Sequence, residues 1–142
     1  MSKFYVGQTA SFSRTVTETD IVMFAGLSGD YNPVHVDQEY AAETRFGQRI
    51  AHGMLTASFL SRLLGMELPG KESVYLEQSL KFTKPVLIGD TITATAEILA
   101  IDYERCIITL STICTNQDGV TVLSGEGKMM MPRKEMHDGS NN

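Results

Sequence analysis

Residues 53–65 constrain the fold more than any other stretch, because they carry a helical pattern with very few polar positions. The apolar side chains of this stretch are Met54, Leu55, Ala57, Phe59, Leu60, Leu63 and Leu64. A helix that is apolar on most sides is normally buried and does not lie on a surface. The rest of the chain must therefore supply a layer that wraps around this helix.

The sequence on either side of this helix indicates what the layer is. Four strand-like stretches follow it, at residues 73–83, 91–101, 106–115 and 120–131. Asp118-Gly119 favours a tight turn between the last two strands. Shorter helices are predicted before it, one from a Thr17 cap to Gly29 and one after an Asp37 cap. Helices first and antiparallel strands later predict an α+β fold, with a long curved sheet around the central helix.

The length of the chain favours one domain. At 142 residues it is large enough for one core but not for two, and we assign residues 1–132 to that domain. Residues 133–142 are polar, and we expect a frayed C-terminal tail. An open antiparallel sheet exposes its edges, which favours the pairing of two subunits into a homodimer.

Charge and cysteine content exclude several classes of partner. The net charge is −5 and the Lys and Arg residues form no cluster, so nucleic acid is not an expected partner. No apolar stretch approaches the ~20 residues that span a bilayer, and the N-terminus has no apolar core of a signal peptide. Cys106 and Cys114 lie in apolar sequence without a CxxC spacing, which favours buried free thiols in a reducing compartment. We therefore expect a cytoplasmic protein without a membrane partner.

Asp30 and His35 are the first candidates for chemistry. A carboxylate and an imidazole five positions apart form an acid/base pair able to hold one water between them. Asn32-Pro33 lies between them, and we interpret this as a stiffened, non-helical segment that aims both side chains at a pocket. The alternative is structural, with Asp30 in a turn and His35 on the surface.

His52-Gly53 is the second candidate, because it opens the apolar helix. The Gly53 amide would point out of the positive helix end, and the missing side chain lets a ligand approach the backbone. Such an amide can stabilise an oxyanion. The alternative is a simple helix start, with His52 packed locally.

Other polar residues are weaker candidates. Ser61 lies two turns into the apolar helix, where its hydroxyl either bonds a helix carbonyl or faces a pocket. The three histidines, His35, His52 and His137, are too scattered in the sequence to predict a metal site, so none is expected.

Two sequence motifs together resemble those of the MaoC-like hydratases and dehydratases, and are most similar to those of the (R)-specific enoyl-CoA hydratases. They are Gly29-Asp30-Tyr31-Asn32-Pro33-Val34-His35-Val36-Asp37 and Ile50-Ala51-His52-Gly53-Met54-Leu55. The resemblance covers about residues 5–132 and implies a hot-dog fold. It further implies a homodimer with acyl-CoA bound near the interface.

The resemblance also assigns roles to individual residues. It implies that Asp30 and His35 are the catalytic pair and that the Gly53 amide is the oxyanion donor. Ser61 would assist the geometry of the site, and Asn32 would support it.

From the resemblance we expect the reversible addition of water to a trans-2-enoyl-CoA, giving a (3R)-3-hydroxyacyl-CoA without a cofactor. Three alternatives keep the fold. They are a 3-hydroxyacyl-carrier-protein dehydratase, an acyl-CoA thioesterase and a non-catalytic acyl-CoA-binding module.

Overall fold

Six strands and four α-helices account for most of residues 3–137, the part of the chain that the computed structural model describes. In chain order they are β1 (Thr9–Thr15), α1 (Glu18–Ser28), α2 (Pro33–Val36), α3 (Gln38–Ala42), α4 (Gly53–Met66), β2 (Val74–Gln78), β3 (Lys81–Phe82), β4 (Thr91–Asp102), β5 (Ile107–Thr115) and β6 (Thr121–Met130), followed by a 3₁₀ turn at Arg133–Glu135.

The strands form one antiparallel sheet in the order β1-β4-β5-β6-β2, with β3 also paired to β6. The turn between β5 and β6 closes at Gly119, whose φ of +75° suits glycine. The Asn116 amide donates to the Val120 carbonyl at 2.9 Å, as the Asp-Gly prediction requires. The predicted α+β class and the antiparallel order are confirmed.

Alternation along β4 shows which face of the sheet meets the core. Ile92, Ala94, Ala96 and Ile98 are fully buried at every second position. Strand side chains alternate between faces, so these four residues form one inward stripe against the rest of the core.

The central helix α4 is buried on one side only. Its inward side includes Leu60, Leu63 and Leu64, each 0% exposed. Its outer side includes Met54 and Met66, which are 55% and 61% exposed. The prediction of a helix covered on most sides is therefore wrong for the single chain.

The segment between α1 and α3 also differs from its prediction. α1 begins after the Thr17 cap and ends at Gly29, whose φ is +80°, as predicted. Pro33–Val36, however, forms a one-turn helix and not a non-helical segment. The Asn32 side chain caps it by accepting from the Val34 amide, and proline suits the first helical position.

The C-terminal segment is ordered further than predicted. Met136 is 1% exposed and belongs to the core, and Lys3 pairs with Glu135 at 2.8 Å. The prediction of a frayed tail from residue 133 is therefore wrong for residues 133–137, while residues 138–142 lie outside the described part.

Cys106 and Cys114 are both free and buried, which confirms that prediction. Within residues 3–137, none of the helices has the length and apolar character needed to cross a bilayer.

Candidate active site

A cavity of about 600 Å³ opens where the end of α1, the start of α4 and strand β3 meet. Asp30, His35, His52 and Gly53 all line it, and apolar side chains supply most of the remaining wall. The structure thus places three predicted site residues, Asp30, His35 and Gly53, around one space. His52 joins them, although the sequence interpretation gave it no role.

Asp30 is held by the turn that follows α1. Its Oδ1 accepts from the Asn32 amide at 3.1 Å, and its own amide donates to Ser28 Oγ at 3.1 Å. The carboxylate is therefore fixed through one oxygen and is exposed at the cavity. The predicted structural role in a turn and the predicted chemical role are both compatible with this geometry.

His35 lies in α2 and is 9% exposed. Its Nδ1 lies 2.8 Å from the Ile50 carbonyl oxygen. A carbonyl only accepts, so Nδ1 carries a hydrogen and the neutral ring keeps its lone pair on Nε2. The backbone thus fixes the tautomer that a general base requires.

Arg49 ties the His35 segment to α1. Its Nε donates to the His35 carbonyl at 2.6 Å, and its Nη1 lies 2.9 and 2.7 Å from the two Glu18 carboxylate oxygens. The Arg49 side chain is only 12% exposed. The sequence analysis did not single out Arg49, because both of its partners are far from it along the chain.

His52 lies beside the pair and is 2% exposed. Its ring stacks on His35 with centroids 3.9 Å apart and planes at 26°, and its centroid lies 4.8 Å from that of the Phe24 ring. Its Nε2 lies 2.9 Å from the Asp30 backbone oxygen. His52 precedes the Gly53 that the sequence analysis singled out, but its own contacts are with residues far from it along the chain.

Ligating atoms of Asp30, His35 and His52 all lie within 4.8 Å of one another. The prediction that the histidines are too scattered to cluster is therefore wrong for His35 and His52. Polar atoms this close together can all contact one small bound molecule. We continue to expect a water in this position.

Gly53 is the first residue of α4, so its amide has no partner inside the helix. Among the described residues no other acceptor bonds it. A Cβ added at Gly53 would lie 2.8 Å from two ring carbons of Phe82 in β3. The present position of the Phe82 ring therefore leaves no room for a Cβ at residue 53.

Ser61 and Asn32 are not part of the cavity wall. Ser61 is exposed on the outer side of α4, and its proposed assistance to the site stays a prediction. Asn32 supports the site indirectly, since it caps the one-turn helix that contains His35.

Known proteins are similar to this chain in sequence and fold. The family described as MaoC like domain matches residues 4–112. The (R)-specific enoyl-CoA hydratase of Rhodospirillum rubrum is 49% identical over 128 residues, covering 90% of this chain and 88% of that protein. The enzyme of the same description from Aeromonas caviae is 45% identical over 127 residues, covering 89% and 95%. The solved structure of an (R)-hydratase from A. caviae involved in PHA biosynthesis has a TM-score of 0.89 at 44% identity, covering 92% of this chain and 98% of that chain.

Proposed function

This chain belongs to the MaoC-like domain family, and on that premise we infer that it is an (R)-specific enoyl-CoA hydratase. It is a hydro-lyase with the hot-dog fold of its structural relatives. The reaction is the reversible addition of water to a trans-2-enoyl-CoA, which gives a (3R)-3-hydroxyacyl-CoA.

The Gly53 amide supplies the electrophilic half of the mechanism. The thioester carbonyl oxygen of the substrate accepts a hydrogen bond from this amide, at the positive end of the 14-residue helix α4. Negative charge that develops on that oxygen is stabilised, and Cβ becomes more electrophilic. A donor of this kind is worth about 10²–10³-fold in rate.

Asp30 and His35 supply the water-handling half. A water between the Asp30 carboxylate and His35 Nε2 loses one proton to the pair while its oxygen bonds to Cβ. The electron pair of the C=C bond moves toward the carbonyl, and the pair returns a proton to Cα. The sum is one water added, with both catalytic residues regenerated.

One observation carries this proposal. His35 Nδ1 donates to the Ile50 carbonyl oxygen at 2.8 Å. The His35 ring lies beside Asp30, in the cavity that the free Gly53 amide also lines. A thioesterase would not need a second proton carrier placed to reach Cα, and a binding module would not need the fixed tautomer.

No resident cofactor belongs to this proposal, because the thioester itself supplies the electron-withdrawing group. We further propose a homodimer that acts on acyl-CoA in the cytoplasm, without a nucleic-acid or membrane partner. The two free thiols support a reducing compartment.

The test is a panel of trans-2-enoyl-CoA substrates of increasing chain length, incubated with the 142-residue chain. We expect loss of the enoyl absorbance, no release of free CoA thiol, a (3R) product and the same rate in the presence of EDTA. Thiol release would indicate a thioesterase, and binding without turnover would indicate a non-catalytic module. An (S) product would contradict the assignment of stereochemistry.

A further inference from the structure

We propose that His52 is a positioning residue, which holds both members of the catalytic pair through two different contacts. This inference rests on the proposed function and adds a residue to it. His52 contacts the backbone of Asp30 and the ring of His35, and it is buried beside both.

The contact to Asp30 fixes the state of the His52 ring. Its Nε2 lies 2.9 Å from the Asp30 backbone oxygen, which only accepts, so Nε2 carries a hydrogen. His52 Nδ1 is buried and has no hydrogen-bond partner among the described residues. A second hydrogen on Nδ1 would leave a buried donor unpaired, which is unfavourable. The ring is therefore the neutral Nε2–H tautomer, opposite to the Nδ1–H tautomer of His35.

The contact to His35 fixes the direction of its lone pair. The His35 ring is held at its edge by the Ile50 carbonyl and on its face by His52, with centroids 3.9 Å apart. Phe24 packs against His52 at 4.8 Å and holds that ring in turn. Rotation of His35, which would carry Nε2 away from the water, is opposed by both contacts.

The side chain of His52 has no role in starting the helix that would confuse a test. The residue occupies the cap position of α4, but its side chain makes no capping hydrogen bond. Replacement of this side chain therefore removes no cap from the start of α4 or from the Gly53 amide.

Two variants separate the contacts. His52→Gln keeps an N–H at about the position of Nε2 but loses the aromatic face, while His52→Phe keeps the ring and loses the donor. We expect His52→Phe to lower kcat by about tenfold to a hundredfold with a KM within about threefold, as expected when catalytic groups shift without loss of substrate contacts. His52→Gln should also lower kcat, because it loses the stacking contact that holds the His35 ring. His137→Gln is the matched control, because His137 is exposed and stacks on Tyr103 away from the cavity.

A spectroscopic measurement keeps the proposal testable where a variant folds poorly. With three histidines in the chain, long-range ¹H–¹⁵N spectra of the unmodified protein give the tautomer of each ring, and His137→Gln assigns one. We expect Nδ1–H for His35 and Nε2–H for His52. The inference is overturned by the Nδ1–H tautomer at His52, or by normal kcat in folded His52→Phe or His52→Gln. Failure of the unmodified protein to hydrate any enoyl-CoA would instead contradict the proposed function.

Discussion

Asp30 and His35 each bind the backbone with one polar atom and leave another for the cavity. Asp30 Oδ1 accepts from the Asn32 amide and His35 Nδ1 donates to the Ile50 carbonyl. Asp30 Oδ2 and His35 Nε2 have no protein partner among the described residues, which leaves them for a water.

Replacement of the free atoms alone should therefore abolish turnover without unfolding the chain. Asp30→Asn keeps an Oδ1 acceptor, and His35→Asn keeps a donor near the position of Nδ1. We expect each variant to lose about 10²–10⁴-fold in kcat, the usual value of general acid–base catalysis. The measurement is crotonyl-CoA hydration, with Asp118→Asn in the exposed turn as the control. Near-normal turnover in a folded variant would remove that residue from the pair.

Gly53 allows a second prediction, because steric and catalytic effects can be separated there. Gly53→Ala should destabilise the chain, since its Cβ would lie 2.8 Å from the Phe82 ring. Gly53→Ala with Phe82→Ala removes that clash. We expect thermal unfolding of the double variant to return toward that of Phe82→Ala alone, while kcat/KM stays at least tenfold below it. Full activity in the double variant would mean that glycine is needed only for packing.

The extent to which these residues could be predicted depends on how local their contacts are. Asp30 and His35 are five positions apart and Gly53 starts a helix, so local pattern sufficed to single them out as candidates. The role of His52 depends on packing against residues 17 to 28 positions earlier, which no local pattern encodes. Ser61 was predicted from residue type, although helical periodicity places it with the exposed Met54.

Among the elements, α2 shows how one sequence signal serves two structures. Asn32-Pro33 was interpreted as a stiff turn, yet the same residues are a helix cap and a first helical position. A segment of four residues shows no periodicity that would distinguish a turn from a short helix. The orientation of His35 could therefore be seen only in the structure.

Arg49 links α2 to α1 through its hydrogen bonds, so its replacement should lower the stability of the chain. Arg49→Met keeps most of the side-chain volume but leaves the His35 carbonyl and the Glu18 carboxylate without their donor. We expect the free energy of unfolding to fall by about 1–3 kcal/mol, the usual penalty of an unsatisfied buried group. We also expect kcat to fall, because His35 loses one of its supports. Arg105→Met is the control in urea unfolding, since the Arg105 side chain is 79% exposed; equal stability of both variants would contradict the prediction.

The burial of Cys114 in strand β5 predicts that its thiol is unreactive in the folded chain. Burial raises the pKa of Cys114 to about 12, so almost no thiolate is present at neutral pH. We expect iodoacetamide to leave Cys114 unmodified at pH 8 in the folded chain and to modify it in urea, as read by mass spectrometry of its peptide. Rapid modification under native conditions would show that β5 opens locally.

At the scale of the whole molecule, the sheet ends in strands that the single chain leaves exposed. β2 is the last strand of the order β1-β4-β5-β6-β2, and its Val74 and Leu76 are 60% and 43% exposed. The outer side of α4 is exposed as well, with Met66 at 61%. Sequence patterns predicted the wrapped helix but could not show which of its sides the chain leaves uncovered.

A second copy of the chain is the partner that we propose for this edge. Light scattering after size exclusion should give twice the chain mass of 15.6 kDa. Leu76→Lys places a charge on the edge strand and should shift the mass toward that of one chain. Leu99→Lys is the matched control, because Leu99 is 39% exposed but lies on β4 in the interior of the sheet. If Leu76→Lys stays dimeric while Leu99→Lys dissociates, the subunits pair through another face; a monomeric unmodified chain with full hydratase activity would show that one copy contains the complete site.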